Sequence, residues 1–245
     1  MKIRQVGSLS TGNHNFLDLI YSFLAIYEFT HRLSAQNAMK KKTKESSNSW
    51  QSHKSSLTRD RIVIATLEAI VQFGYESTTM VKIAKLASVS QGSMQYHFPA
   101  KIDAIKAAIS YLLAKRLNDH QQDLETRPDE SDAMGYSIEV YWRHLNEGHY
   151  VAYQDLVIAA RTHPELAEVL KPAYQRFIKT WRQDAQKLVP EWEGKKDMFE
   201  LICDIGQYQM EGLAYGRLNG QISEEQTRRV LDFTKNMLSK MTAEL

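Results

Sequence analysis

The chain has little of what several large protein classes require. Its 245 residues include one cysteine, five prolines and eleven glycines. A single thiol, Cys203, cannot form an internal disulfide or a cysteine-based metal site, so a reducing compartment is expected, and a packed core position is expected for Cys203 itself. Few glycines and prolines, with 43% hydrophobic and 24% charged residues, predict a mostly helical protein with one or two packed domains.

Long apolar runs are also scarce. The longest, residues 16–29, contains Asp18 and Glu28 and is shorter than the roughly 20 residues of a membrane-spanning helix. It begins too late for a secretory signal peptide and no clear cleavage site follows. We expect residues 1–38 to be either an upstream extension that is not translated, with Met39 as the start, or a loosely attached helix. No membrane partner is expected, and the expected location is the cytoplasm.

Charge is unevenly distributed along the chain, although the net charge is only +2. Lys and Arg outnumber Asp and Glu by seven over residues 39–120, whereas Asp and Glu outnumber Lys and Arg by six over residues 121–245. A basic segment of this kind favours contact with a polyanion such as DNA, although a solvated basic face has the same composition.

Helical periodicity divides the chain into four parts. Residues 1–38 are the extension, and residues 39–57 are polar and lysine-rich, which predicts a flexible basic arm. Residues 58–103 predict three helices, with Thr58, Thr79 and Ser90 as N-caps, before a long fourth helix begins. Residues 104–245 predict helices near 133–147, 150–161, 164–188, 195–218 and 223–242. The expected class is all-α.

The stretch VSQGSMQYHF, residues 89–98, is the most informative. It follows a short helix and a tight turn, and it has hydroxyl, amide and aromatic side chains but no Lys, Arg, Asp or Glu. A helix with short polar side chains can enter the major groove and reach base edges, which is the chemistry of a helix-turn-helix. Gly92, which lacks a Cβ, allows close approach to the DNA.

Residues 58–105 resemble the N-terminal DNA-binding domain of the tetracycline-repressor-like (TetR) regulators. The shared pattern is T-T-x-x-x-I-A-x-x-A-x-V-S-x-G-x-x-x-x-H-F-x-x-K, which begins at Thr78 and ends at Lys101. The resemblance implies phosphate contacts from Thr79, Tyr96 or His97, and Lys101. It implies base contacts from Ser90, Gln91, Ser93 and Gln95.

Three positions depart from the pattern of the family. Gln95 stands where many relatives have an aromatic phosphate contact, Gln91 where lysine is common, and Pro99 where a basic residue is frequent. We therefore expect this protein to depend more on hydrogen bonds and on the basic arm at residues 40–44.

The resemblance also implies a ligand-responsive repressor that binds a palindromic operator as a homodimer, with a C-terminal half for ligand binding and dimerisation. An apolar pocket for an aromatic or lipophilic effector is expected to be lined by Tyr136, Trp142, Tyr153, Phe177, Trp181 and Tyr208. The dimer interface is expected on the last two helices, at Leu201, Ile205, Gly212, Gly216, Val230, Leu231, Met237 and Leu238. No cluster of inward-facing charges is evident in the sequence of this half.

Enzyme chemistry is not expected. His144, Glu147 and His149 lack the i, i+4 histidine spacing of a helical zinc site, and there is no G-x-S-x-G nucleophile motif. No cofactor or metal is expected. The alternative function is a helical protein-interaction module without specific DNA binding, which explains the amphipathic helices but not residues 89–98.

Overall fold

The computed structural model describes residues 47–128, 132–187 and 194–243, and within these ranges all regular structure is helical. The helices are α1 Ser47–Ser77, α2 Met80–Leu86, α3 Gln91–His97, α4 Lys101–Glu125, α5 Ala133–Leu145, α6 Gly148–Ala159, α7 Pro164–Lys187, α8 Lys196–Leu218 and α9 Glu224–Ala243. The predicted all-α class is confirmed.

The first three helices and the start of α4 enclose one small core. Apolar side chains spaced by three or four residues on each helix meet there, as the periodicity predicts. The fully or almost fully buried members include Ile62, Ala69, Ile83, Met94, Phe98 and Ala104. This core fixes the position of α3 relative to α1 and α2.

Helix α1 begins at Ser47 and not at Thr58, which differs from the sequence prediction. The Thr58 hydroxyl donates a hydrogen bond to the carbonyl of Lys54 at 3.0 Å, one turn earlier, so Thr58 lies inside the helix and does not cap it. The part of the predicted arm from residue 47 onward is therefore helical. The extension and the lysines at residues 40–44 lie outside the described residues.

Helix α1 is broken near its end by Gly74, whose φ of 75° and ψ of 161° are not helical. This combination is essentially restricted to glycine because a Cβ would collide with the backbone. The break redirects the chain so that Tyr75 turns inward and is only 8% exposed.

The C-terminal half is a bundle in which α4 packs along α7, α6 packs against α7, and α5, α8 and α9 pack on one another. The predicted ranges of the five helices α5 to α9 agree with the observed ones to within a few residues. Helix α4 runs unbroken from Lys101 to Glu125, so the expected boundary between residues 103 and 104 falls inside a helix that both halves share.

No helix in the described ranges combines the length and the apolar character that crossing a membrane requires. The apolar run at residues 16–29 is not among the described residues.

Candidate functional site

Two capped helices and a tight turn form the helix-turn-helix. The Thr79 hydroxyl accepts a hydrogen bond from the Lys82 amide at 3.3 Å at the start of α2. The Ser90 hydroxyl accepts one from the Ser93 amide at 3.1 Å at the start of α3. Between the helices, Ser88 adopts a positive φ of 52°, and the Val89 amide donates to the Ala84 carbonyl at 3.0 Å. Both predicted N-caps are confirmed.

The inner face of α3 is held by the small core and by two arginines of α1. Met94 is 0% exposed and Phe98 is 2% exposed. The Arg59 guanidinium lies 5.0 Å from the centre of the Phe98 ring. Arg61 donates to the carbonyls of Ala87 and Ser88 in the turn, the latter at 3.1 Å. These contacts give α3 a defined orientation on α1.

The outer face of α3 presents polar and aromatic side chains to solvent. Gln91, Gly92, Gln95 and Tyr96 are all exposed, with Tyr96 at 79%. Ser93 and His97 are half-buried, and the His97 ring contacts the Tyr96 ring edge-on at 5.1 Å between centres. Residues 80–100 contain no carboxylate, so this face does not repel phosphate.

The side chain of Lys101 is bound to Tyr75 of the same chain in this conformation. Its ammonium donates to the Tyr75 carbonyl at 2.5 Å and lies 4.1 Å from the centre of the Tyr75 ring. Burial lowers the pKa of Lys101, against the opposing effect of Glu76 and Asp155. A phosphate contact by Lys101 stays a prediction, because it requires the side chain to leave Tyr75.

Residues 62–108 match the model of the tetR family of bacterial regulatory proteins. The chain carries a tetR-family helix-turn-helix domain. The match covers the part of α1 from residue 62 onward, all of α2 and α3, and the first turns of α4. These elements include α3 and the helices that fix its orientation. The resemblance found in the sequence is confirmed for this tetR-family domain.

Curated relatives point to the same class of protein. The chain is 36% identical over 72 residues to the HTH-type transcriptional regulator SrpR of Pseudomonas putida, covering 29% of this chain and 31% of SrpR. It is also 36% identical over 72 residues to TtgW of Pseudomonas putida, covering 29% of this chain and 49% of TtgW. The chain thus spans between a third and a half of the length of these two relatives. Both are regulators by name and not enzymes, in agreement with the expectation.

The fold of the longer part of the chain is similar to that of a crystallised protein from Rhodococcus sp., described as a TetR-family transcriptional regulator. The TM-score is 0.57 at 20% identity, and the similarity covers 74% of this chain and 98% of that one. At this identity the similarity establishes the fold alone. It extends from the tetR-family domain into the helical C-terminal half.

The residues predicted to line an apolar pocket do not all lie together. Tyr153 and Phe177 are buried, and Trp181 packs near Tyr141 with 5.7 Å between ring centres. Tyr136 donates from its hydroxyl to the Asp123 carbonyl at 2.9 Å, and Trp142 is half-buried. Tyr208 is 66% exposed on α8, so it lies outside the buried group.

The interior beside Tyr153 and Phe177 is polar, contrary to the expectation that no inward-facing charges occur. Arg116 of α4 and Glu211 of α8 both reach this region, together with the amide of Gln207, which is 5% exposed. We call the buried polar cluster a group in which Tyr153 and Gln207 are buried and four half-buried residues surround them: Arg116, Tyr141, Tyr174 and Glu211. The sequence does indicate that Arg116 faces the interior, because it follows Leu112 by four residues and so lies on the same buried face of α4.

Burial and charge act together on the tyrosines of this cluster. Burial raises the pKa of Tyr141, and the nearby Glu211 carboxylate raises it further, whereas Arg116 lowers it. The pKa of Tyr174 is raised by the same two causes and lowered by Arg116. The hydroxyls of Tyr141 and Tyr174 are therefore neutral at physiological pH.

A separate groove of about 520 Å³ lies between α1 and α4, in the helix-turn-helix half. Its walls include Arg59, Asp60, Lys106 and Tyr111. It shares no lining residue with the buried polar cluster or with the predicted pocket.

The predicted dimer residues fall on two different sides of α8 and α9. Leu201 and Gly212 are exposed, and Ile205 is half-buried, on the outer side of α8. Gly216 and Leu238 are buried within the chain. A Cβ at Gly216 would lie 3.4 Å from Ile222, and one at Gly206 would lie 3.2 Å from Leu238. Val230, Leu231 and Met237 are half-buried on α9.

Of the two histidines near the junction of α5 and α6, His144 links two helices, whereas His149 contacts a residue close to it in sequence. The His144 ring lies 2.8 Å from the Asp123 carboxylate of α4, which also pairs with Arg143. His149 is within 3.4 Å of Glu147. In the described part of the chain, no group of three His, Cys, Asp or Glu side chains is arranged to hold a metal ion.

Proposed function

We propose that this protein is a DNA-binding transcriptional regulator that acts as a ligand-responsive repressor in the cytoplasm. In this proposal two copies bind a palindromic operator, and a small molecule releases them. The single observation that carries the proposal is the exposed polar face of α3, at Gln91, Gly92, Gln95 and Tyr96, on a tetR-family domain whose inner face is fixed by Met94 and Phe98.

The chemistry of this face suits major-groove reading. Glutamine amides can pair in a bidentate manner with adenine, at about 1–3 kcal/mol of discrimination for each good pair. We assign this role to Gln91 and Gln95, with Ser90 and Ser93 beside them. Tyr96, His97 and Thr79 are proposed to contact phosphates at the edges of the groove, because phosphate contacts set the register of a helix on DNA.

Lys82 and Lys85 add positive charge on α2. Lys85 is exposed, whereas Lys82 donates to the Ser77 carbonyl at 2.7 Å and lies 4.4 Å from the centre of the Phe73 ring. Lys101 and the lysines at residues 40–44 are further candidates for phosphate neutralisation. Affinity for DNA should therefore fall steeply as salt concentration rises.

A second copy of the chain is proposed to pack against the outer side of α8. Leu201, Ile205, Tyr208, Gly212 and Tyr215 recur at intervals of three and four residues there, which places them on one stripe of the helix. We call these five residues the α8 stripe. Three of its side chains, on Leu201, Tyr208 and Tyr215, are between 43% and 66% exposed.

The space around Gly212 supports close helix packing. A Cβ at Gly212 would meet no atom within 4 Å in the chain, so a second helix can approach the backbone there. Phe233 on α9, at 62% exposed, adds apolar surface. Two bound copies would hold their α3 helices at a fixed separation, and a ligand that favours another separation would lower DNA affinity.

The experiment that tests the proposed function is fluorescence anisotropy of the full chain with a labelled duplex from the DNA that flanks its own gene. A scrambled duplex of the same length serves as the reference. Binding that prefers the flanking DNA and weakens with salt is expected. Gln95→Ala should reduce the preference by about 1–3 kcal/mol, whereas Lys171→Ala, an exposed position on α7, should leave it unchanged.

Equal, weak binding to both duplexes across the flanking region would contradict specific DNA recognition there. Unchanged preference in a folded Gln95→Ala variant would contradict the role of Gln95. Only the first result, with helix content retained by circular dichroism, would favour the protein-interaction module instead.

A further inference from the structure

The buried polar cluster contains a cation that has no anionic partner among the described residues. The Arg116 guanidinium lies 4.6 Å from the centre of the Phe177 ring and 5.3 Å from that of Tyr153. Its Nη1 atom is buried and has no hydrogen-bond partner. Cation–π contact compensates part of the lost hydration, but a buried charge normally also has a paired anion.

An unpaired acceptor lies in the same cluster. Gln207 donates from its Nε2 to the Tyr174 hydroxyl at 2.6 Å and to Glu211 Oε1 at 3.3 Å. A carboxylate can only accept hydrogen bonds, so the Gln207 atom that faces Glu211 must be the amide nitrogen Nε2. Gln207 Oε1 is consequently left buried without a partner. Buried polar atoms without partners are rare, and each needs an explanation.

Glu211 does not neutralise Arg116 directly. Its Oε1 accepts from the Tyr141 hydroxyl at 2.8 Å as well as from Gln207, and its backbone carbonyl accepts from Tyr150 at 3.1 Å. No ion pair between Arg116 and Glu211 occurs in the structure. The Glu211 carboxylate therefore accepts hydrogen bonds from two donors of its own chain, Tyr141 and Gln207, both at Oε1.

Aromatic rings connect the unpaired donor to the unpaired acceptor. Tyr153 and Tyr174 stack with 5.4 Å between ring centres, and Tyr174 and Phe177 stack with 5.9 Å. Arg116 covers the Tyr153 and Phe177 rings, and Gln207 bonds to the hydroxyl of Tyr174. The unpaired donor and the unpaired acceptor therefore border the same group of three aromatic rings.

We propose that the effector of this regulator is a small aromatic acid that also carries a hydroxyl or amine donor. Its carboxylate pairs with the Arg116 guanidinium, its ring lies beside the rings of Tyr153, Tyr174 and Phe177, and its donor bonds to Gln207 Oε1. This inference rests on the proposed function, and it replaces the neutral lipophilic effector that the sequence suggested. An arginine with its guanidinium fork free is the residue best suited to a carboxylate.

The test is isothermal titration calorimetry of the full chain, without DNA, using aromatic acids and their matched neutral amides. The probes are 4-hydroxybenzoate, salicylate and 4-hydroxyphenylacetate, each paired with its amide, together with the cation tyramine. At least one acid should bind about tenfold or more tightly than its amide, since a charged hydrogen bond is lost in the amide. Tyramine should bind no more tightly than the amides.

Variants of Arg116 separate ligand binding from a purely structural role. Arg116→Met should lower acid affinity by about tenfold or more and lower amide affinity much less, so that the preference for the acid is lost. Its thermal midpoint without ligand should be equal to or above that of the parent protein, because an unpaired buried charge has been removed. Arg116→Lys should retain part of the acid preference, and Arg176→Met, an exposed arginine on α7, is the matched control.

The proposal is wrong if no acid of the panel binds more tightly than its amide, or if tyramine binds best, which would assign the cluster to cations through Glu211. It is also wrong if Arg116→Met keeps full acid preference. If that variant fails to fold, Gln207→Leu supplies the second test and should weaken the hydroxylated acids more than benzoate. Acid binding that leaves DNA affinity unchanged would contradict the proposed release mechanism but not the ligand class.

Discussion

The backbone amide of Tyr75 donates a hydrogen bond to the carboxylate of Asp155. This bond joins the break in α1, in the helix-turn-helix half, to α6 in the C-terminal half. Asp155 lies two residues after Tyr153, whose ring faces Arg116. The nearby pairing of His163 with Glu76, and the contact of the His163 and Tyr75 rings at 5.2 Å between centres, reinforce the same connection.

Asp155→Ala should lower the free energy of unfolding by about 1–3 kcal/mol, because the buried amide of Tyr75 loses its acceptor. Urea unfolding followed by circular dichroism measures this change. Asp155→Asn, which keeps an acceptor oxygen, should recover part of the loss. Glu168→Ala, an exposed carboxylate on α7, is the control. Equal stability of Asp155→Ala and the parent protein would show that the bond contributes nothing.

Gly74→Ala should lower the free energy of unfolding by about 1–3 kcal/mol, since residues other than glycine are strained at a φ of 75° and ψ of 161°. Space is not the cause, as the nearest atom to the new Cβ would be Asp155 Oδ2 at 3.8 Å. Gly92→Ala, at a helical position where the nearest atom is 4.0 Å away, should instead be neutral or stabilising by up to about 1 kcal/mol in the same urea experiment. If Gly92→Ala destabilised the protein more than Gly74→Ala, the explanation by backbone strain at Gly74 would be wrong.

Tyr208→Glu should convert the proposed dimer to a monomer, because a charge would be placed in the middle of the α8 stripe. Sedimentation velocity at micromolar concentration measures the assembly state. Lys171→Glu, an exposed charge change on α7, should leave the mass unchanged. If Tyr208→Glu and the parent protein sediment alike, α8 does not form the interface.

The pH dependence of stability should report on His120. Its pKa is lowered to about 4, mainly by burial and also by the neighbouring His144, against the opposing effects of Asp184 and Asp123. In the unfolded chain the pKa is near 6.5, so the unfolded state takes up the proton first as pH falls. The contribution of His120 is thus complete above pH 6.5 and is lost between pH 6.5 and 4.

Over this range the loss should total about 3 kcal/mol. The free energies of unfolding of the parent protein and His120→Gln, measured by urea titration at several pH values, isolate this contribution from other titrating groups. Their difference should shift by about 3 kcal/mol in favour of the variant from pH 7 to pH 4. A difference independent of pH would mean that His120 is not buried as a neutral ring.

Helices with strong apolar periodicity were predictable from the sequence. The spacing of Ile105, Ile109 and Leu112 indicated α4, and the hydroxyls of Thr79 and Ser90 located the starts of α2 and α3 because each satisfies a local backbone amide. The prediction that Thr58 caps a helix was wrong because it rested on the same property of the hydroxyl group. A threonine hydroxyl can also bond to a carbonyl one turn earlier, and nothing in the local sequence distinguishes the two uses.

The sequence by itself determined the all-α class, the helix-turn-helix and the polar character of α3, since these depend on local periodicity, capping and composition. Tertiary structure alone decided which side chains meet at a distance. It placed Tyr208 on the outer side of α8, turned Arg116 onto Tyr153 and Phe177, and brought Asp155 to Tyr75. Those outcomes depend on how helices pack against one another, and the pattern within any single helix does not contain that information.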